Sequence, residues 1–305
     1  PLPRPKGKST RVIITQWDMP TKGTVPHDMD VDSKGIVWYT DESAQMLGRF
    51  DPKTNAFTEI PMPPVPAGDL PGTRDVLVDL DDNVWFPMRV AGNASPLTKY
   101  EPATGKITIV KELNGQFINR GADGKIWAGS MRIDPKTMKI DGPFAYNKAP
   151  NLPPGPHGGY GGPQIDSKGN PWTPDRQSGY MINVDVKTGA ARFLPFPTLK
   201  GSGARRGKID PQDRYWWGEY FADRIGMFDT RTEKLQQWQL PKYSTPYTSS
   251  IPDREGRVYA PSNMSERLYR LDPKTGEIVE YLMPTDFDTK KIAYDPTAKN
   301  ISLLM

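Results

Sequence analysis

Two histidines, and carboxylates and guanidiniums that recur at matching offsets, are the residues of this chain best placed to do chemistry. His27 in VPHDMDVD stands fourteen residues before Asp41 in VWYTD. The same offset pairs Arg74 with Met88, Gln116 with Ser130, Gly161 with Asp175, Arg205 with Glu219, Thr248 with Ser262 and Lys291 with Met305. Each first member opens one strand of a hairpin, and each second member ends the returning strand. The two therefore meet at one rim. Gathered in a ring, Asp41, Asp175 and Glu219 could hold a divalent cation. His27 or His157 could then serve as a general base. Arg74, Gln116, Tyr160, Arg205 and Arg206 are the candidate ligand-binding residues, because guanidinium forks suit carboxylates and phosphates. The alternative is a wet channel whose polar residues bind nothing in particular.

Two loops bear on this rim. PPGPHGGYGG (153–162) carries His157 and Tyr160, and its glycines would let backbone approach a ligand closely. It lacks the G-K-[ST] ending of a phosphate loop, and no helix is expected after it. A plain flexible connection is the other reading. SGARRGKID (202–210) brings two adjacent guanidinium groups. One of them could instead pair with Glu219 while the other faces solvent. WWGEY (216–220) is expected in the core between repeats rather than as a stacking platform. There is no G-x-S-x-G elbow to support a serine hydrolase of that type.

Composition limits what can surround such a site. The 305 residues include 61 Gly and Pro together, which leaves little room for long helices. The 31 aromatic residues argue for an ordered fold. With no Cys there is no disulfide, thiol nucleophile, iron–sulfur cluster or thioether-bound haem within this chain, and two His exclude a His-rich metal cage. No apolar run reaches the length of a membrane-spanning helix. A net charge of +4 spread along the sequence is a solvated surface, not a nucleic-acid footprint. Residues 1–10 read as an extension. The start PLPRPKGKST suggests that a targeting segment was removed or that this is part of a longer protein.

The elements that would position the rim are repeats. An acidic turn recurs as DPKTN at Asp51, EPATG at Glu101, DPKTM at Asp134, DVKTG at Asp185, DTRTE at Asp229 and DPKTG at Asp272. A second signal is Asp six residues before an aromatic: Asp32 to Trp38, Asp79 to Trp85, Asp166 to Trp172, Asp210 to Trp216 and Asp253 to Tyr259. GADGKIW, ending at Trp127, is a shortened form. Both are turns between short strands. Four strands per unit, repeated roughly every 40–50 residues, read as propeller blades. The count gives an all-β fold of seven four-stranded blades over residues 11–305. The segment RVIITQWDMP (11–20) is expected to close the last blade as its fourth strand. That blade lacks a third strand, so the natural chain is expected to continue beyond Met305; a three-stranded last blade is the alternative.

At these repeats the sequence resembles the virginiamycin B lyase-like (streptogramin lyase-like) β-propeller family. The matching pieces are PHDMDVDSKGIVWYTDESAQMLGRFDPKTNAFTEIPMP (26–63), RYWWGEYFADRIGMFDTRTEKLQQWQLP (214–241) and RLYRLDPKTGEIVEYLMP (267–284). The resemblance implies a magnesium-dependent lyase that opens a cyclic depsipeptide by elimination across its ester. It implies a Pro-His opening a late blade, with Glu fourteen residues on. Those positions here are Thr248 with Ser262 and Lys291 with Met305, and the nearest match is His27 with Asp41. The G-P-H-G-x-Y-G and R-R-G loops look closer to lyase-like propellers set within longer exported bacterial proteins, in the periplasm or outside the cell. Three functions stay open: a binding module for a small anionic or metal-bridged ligand or a protein partner, a metal-dependent lyase at the same rim, and a scaffold.

Overall fold

The computed structural model describes residues 5–285, 291–294 and 301–304, so Met305 lies outside the described residues. Each aspartate placed six residues before an aromatic acts twice. Asp32 Oδ1 accepts the backbone N–H groups of Lys34 and Ile36, both at 2.9 Å, and its Oδ2 accepts the Trp38 indole N–H at 3.0 Å. Asp79, Asp166 and Asp210 receive Trp85, Trp172 and Trp216 at 2.8–3.0 Å, and Tyr259 O–H donates to Asp253. One carboxylate thus closes a hairpin and fixes the aromatic that packs between blades. The D-P-K-T segments are Asx turns, in which Asp51, Asp134, Asp185, Asp229 and Asp272 accept the N–H two residues on.

These turns organise consecutive antiparallel blades. Blade one is β1 (Pro26–Val31), β2 (Val37–Asp41), β3 (Met46–Asp51) and β4 (Ala56–Pro61). Blade two is β5 (Leu77–Val78), β6 (Val84–Pro87), β7 (Pro96–Glu101) and β8 (Lys106–Asn114). Blade three is β9 (Ile118–Arg120), β10 (Ile126–Ala128), β11 (Met131–Ile133) and β12 (Ile140–Asp141). Blade four is β13 (Gln164–Ile165), β14 (Pro171–Asp175), β15 (Tyr180–Val184) and β16 (Ala191–Pro195). Blade five is β17 (Ala204–Ile209), β18 (Arg214–Glu219), β19 (Arg224–Asp229) and β20 (Lys234–Gln239). Blade six has three strands, β21 (Val258–Pro261), β22 (Arg267–Leu271) and β23 (Ile278–Leu282). Among the described residues helical structure is limited to four 3-10 turns.

The expectation of seven four-stranded blades is corrected: the propeller has six. After blade six the described residues hold only a two-stranded ladder, β24 (Lys291–Tyr294) with β25 (Ile301–Leu304), lying beside β1. Residues 11–20 form no strand, so they do not close a blade. Only part of their apolar content is buried, since Val12, Ile13 and Trp17 stay exposed. Ile14 packs against Leu268, Val279 and Ile292, and Met19 packs against Met29 and Tyr39. The segment expected as the first strand of blade six, around Thr248, is likewise not a ladder. Pro246 and Pro252 bracket it, and each lacks the N–H a strand would donate.

The core lies between blades rather than within them. Trp38 and Leu47 of blade one meet Val76, Phe86 and Met88 of blade two. Trp172 and Met181 of blade four meet Tyr215 and Trp217 of blade five. Stacking blade on blade around a ring buries both faces of each sheet.

Candidate functional site

Two bulges decide which side chains reach the channel. Pairing shifts register between Pro26 and Met29 in β1, and again between Ala204 and Gly207 in β17. A bulge sets two residues against one on the partner strand. The neighbours Arg205 and Arg206 therefore take different directions, and so do His27 and Asp28.

Arg206 points inward. Its Nη1 pairs with Asp28 Oδ1 from the opposite side of the ring, and its guanidinium lies 4.5 Å from the centre of the Phe117 ring. Both partners are buried. Burial would push the Asp28 carboxyl up, but Arg206, the His27 hydrogen bond and Lys291 together hold it well below the usual carboxylate range. On the other side of Asp28, His27 Nδ1 lies 3.0 Å from Oδ2. His27 Nε2 stands 3.8 Å from Glu42, which also pairs with Arg74 at 2.6 Å. Lys291 Nζ donates to Asp75 Oδ1 and to the Val76 carbonyl, both at 2.6 Å. Asp28, Asp75 and Lys208 were missed in the sequence reading. They sit one and three positions past the rim positions; Asp28 lies in the β1 bulge and Lys208 just past the β17 bulge.

Arg205 points to the rim. Its guanidinium carbon lies 4.4 Å from the ring centres of both Tyr220 and Tyr247, and 4.9 Å from that of Tyr160. Tyr160 and Tyr247 join hydroxyls at 2.9 Å. Arg176 stands 5.3 Å from the Tyr160 ring. Arg205 does not pair with Glu219. That carboxylate is buried and takes Arg224 Nε and Gln237 Nε2, each at 2.6 Å. Burial nonetheless raises the Glu219 carboxyl, against the lowering by Gln237 and Arg224. Trp216 and Trp217 are core as expected, whereas Tyr220 of the same motif belongs to the aromatic cage.

The loop 153–162 lies over the channel mouth. Gly161 has φ +101°, and a Cβ there would come within 2.8 Å of Arg206 Cγ. Only glycine allows the loop to press that closely. The Gly161 carbonyl accepts Asn119 Nδ2, and the Tyr160 ring centre is 5.0 Å from that of Phe117. His157 anchors the loop. Its Nδ1 lies 2.7 Å from Asp175 Oδ2, and its Nε2 lies 2.6 Å from the Pro153 carbonyl. The Pro153 carbonyl raises the His157 pKa; burial opposes this and Asp175 adds to it. With both ring nitrogens engaged, the His157 ring is a latch with no free nitrogen to act as base.

The acidic positions do not converge. Asp41 Oδ1 accepts the N–H of Ser43 and of Ala44, and Asp175 Oδ1 accepts those of Gln177 and Ser178. Each closes the turn after its own strand. Among the described residues no three His, Asp or Glu side chains are grouped to hold one metal ion. The residues present do not fit a magnesium site built on Asp41, Asp175 and Glu219. Gln116 is exposed, and Met88 is packed in the core between blades one and two.

No protein-family model matches the sequence, and no curated protein matches it. Solved structures do. A catalytically inactive virginiamycin B lyase from Staphylococcus aureus with quinupristin aligns over 95% of this chain and 95% of its own, at TM-score 0.74 and 19% identity. The chain has the virginiamycin B lyase-like propeller fold. A streptogramin B lyase aligns over 93% of this chain and 92% of its own, at TM-score 0.73 and 16% identity. The extracellular domain of a putative one-component system from B. thetaiotaomicron aligns over 92% of this chain and 39% of its own, at TM-score 0.66 and 16% identity. This lyase-like propeller shares a scaffold with the two lyases and with the extracellular domain of a putative one-component system. Among its described residues no helix is long and apolar enough to cross a membrane.

Proposed function

We propose that this propeller is a ligand-binding module of an exported protein, periplasmic or secreted, and that it holds a small organic anion at the rim. The observation that carries the reading is the pair of guanidiniums beside Tyr160. Arg205 and Arg176 lie 4.9 and 5.3 Å from its ring centre, and among the described residues neither forms an ion pair. The nearby acids are engaged elsewhere, Asp28 by Arg206 and Glu219 by Arg224. Arg205 Nε is buried without an acceptor. A guanidinium held flat by aromatic rings keeps its fork preorganised for a carboxylate or phosphate. The likeness to the extracellular domain of a putative one-component system supports the exported location. The lyase alternative lacks a cation cradle among the described residues.

Calorimetric titration with succinate, citrate and glycerol phosphate tests this. At least one should bind to the intact protein, and binding should be lost in Arg205→Ala and weakened in Arg176→Ala. Affinity unchanged in both variants, or no binding of any of the three, overturns the reading.

A further inference from the structure

The channel beneath the rim has its own charge arithmetic. A cavity of about 260 Å³ is lined by Asp30, Asp75, Arg120, Arg206, Lys208 and Lys291, among others. All the carboxylate oxygens near it are engaged. Asp28 takes Arg206 and His27. Asp30 takes the N–H groups of Val31 and Val78. Asp75 takes Val76 N–H and Lys291 on one oxygen and Ile118 N–H on the other.

The cations are not matched in the same way. Arg206 has Asp28, Lys291 has Asp75, and Arg120 donates to the Val78 carbonyl at 2.6 Å. Among the described residues Lys208 has no hydrogen-bond or ion-pair partner. Arg206 Nε, on a side chain only 7% exposed, is also without an acceptor. Four cations line the cavity, with Asp30 and Asp75 in its wall and Asp28 beside it; Arg120 is exposed to solvent, so Lys208 is the inner cation left without an acceptor.

We propose that the central channel binds a small monovalent anion, a halide or a short carboxylate, between the Lys208 ammonium and the Arg206 Nε–H. The anion would supply the acceptor that both donors lack. Lys208 is half-buried, and a bound counterion would offset the cost of taking its charge partly out of water. In its absence burial lowers the Lys208 amine; Asp30 and Asp75 oppose this, and Lys291 and Arg120 reinforce it. This site is separate from the rim cage, because Arg205 faces the three tyrosines and not the channel.

The test is chloride-35 line broadening on the intact protein, with bromide anomalous diffraction on its crystals. Excess chloride line width should appear in the wild type, persist in Lys208→Arg, and be lost in Lys208→Met. Crystals bathed in sodium bromide should show an anomalous peak beside Lys208. Added formate that abolishes the broadening names a carboxylate as the tighter occupant, whereas formate without effect names a halide. An empty channel in the bromide map, or broadening unchanged in Lys208→Met, overturns the proposal. Should Lys208→Met fail to fold, the wild-type bromide map decides alone. Arg205→Ala should leave both signals intact, so failure at the rim and failure in the channel can be told apart.

Discussion

Trp127 is the blade tryptophan that shows what its neighbours gain from their aspartates. Its side chain is buried, yet its indole N–H has no acceptor. Six residues earlier, where other blades carry Asp, stands Gly121. The backbone turn is the same: Gly121 N–H donates to the Lys125 carbonyl at 2.9 Å, as Asp32 N–H does to Ile36 at 3.0 Å. A Cβ on Gly121 would meet Asp123 Oδ1 at 2.7 Å, so the perturbation is Gly121→Asp together with Asp123→Ser. The serine removes the Asp123 contact and the like charge and keeps a side-chain acceptor for the turn, while Ile165 Cγ2, 3.2 Å from the new Cβ, must shift slightly. A hydrogen bond from a buried donor to a carboxylate contributes about 1.5–3 kcal/mol. Desolvating the new carboxylate offsets part of this, which leaves a net gain of roughly 1 kcal/mol. In a chain of this size that raises the melting midpoint by about 2 °C. Urea and thermal unfolding read the change. The same pair of substitutions in a Trp127→Phe background should gain nothing, because the indole donor is gone. A midpoint that is unchanged or lowered, or an equal gain without the indole, refutes the reasoning.

Three further outcomes are expected. His157, with its pKa raised above 6.5, stabilises the loop fully below pH 6.5 and loses that contribution as pH rises through the folded-state value, so the melting midpoint should fall with alkalinity in the wild type and not in His157→Gln. Asp28→Ala strands the buried Arg206 and should cost about 3–5 kcal/mol in urea unfolding; a loss no larger than that of an exposed pair would show that the bridge is not desolvated. Gly48→Ala places a Cβ 1.9 Å from the Tyr39 ring and should cost at least about 1–3 kcal/mol, with Tyr39→Ala restoring part of it in the double variant.

The blade repeat was legible because its turns are chemical. An Asp that accepts two backbone N–H groups and an indole leaves the same spacing in every blade that uses it. The blade count was not legible at the ends. Residues 11–20 resemble the fourth strands of the blades in sequence, but the chain packs only Ile14 and Met19 of them against the core and forms no ladder. The rim was partly legible. The offset of fourteen residues found the strand ends, and an acid at a strand end has a nearer use than a metal. Asp41 and Asp175 bond the N–H groups two and three residues on, and Ser262 does the same with its hydroxyl for Met264 and Ser265. Arg206 was among the candidates, but Asp28, Asp75 and Lys208 were not, because the offset of fourteen marks strand ends only and the bulges at His27–Asp28 and Arg205–Arg206 leave no sequence signal.

The same bulges tie the ring together. Among the described residues, only a two-stranded ladder stands between blade six and blade one. Side chains bridge the two blades. Lys8 pairs with Glu277, Gln16 donates to Thr285, and Ile14 bridges blade six and Ile292. Inside the channel, Arg206 of blade five holds Asp28 of blade one, and Lys291 of β24 holds Asp75 of blade two. Lys8–Glu277 is exposed and contributes little once salt screens it. The two inner pairs are desolvated and escape most of that screening. Closure therefore rests on a charged layer in the channel, and removing Asp28 should loosen blade one against blade five before any blade unfolds. Amide exchange would read this as lost protection in β1 and β17 while β6 and β7 keep theirs. Uniform loss across all four strands would show that the ring opens as one unit, and that the inner ion pairs do not carry its closure.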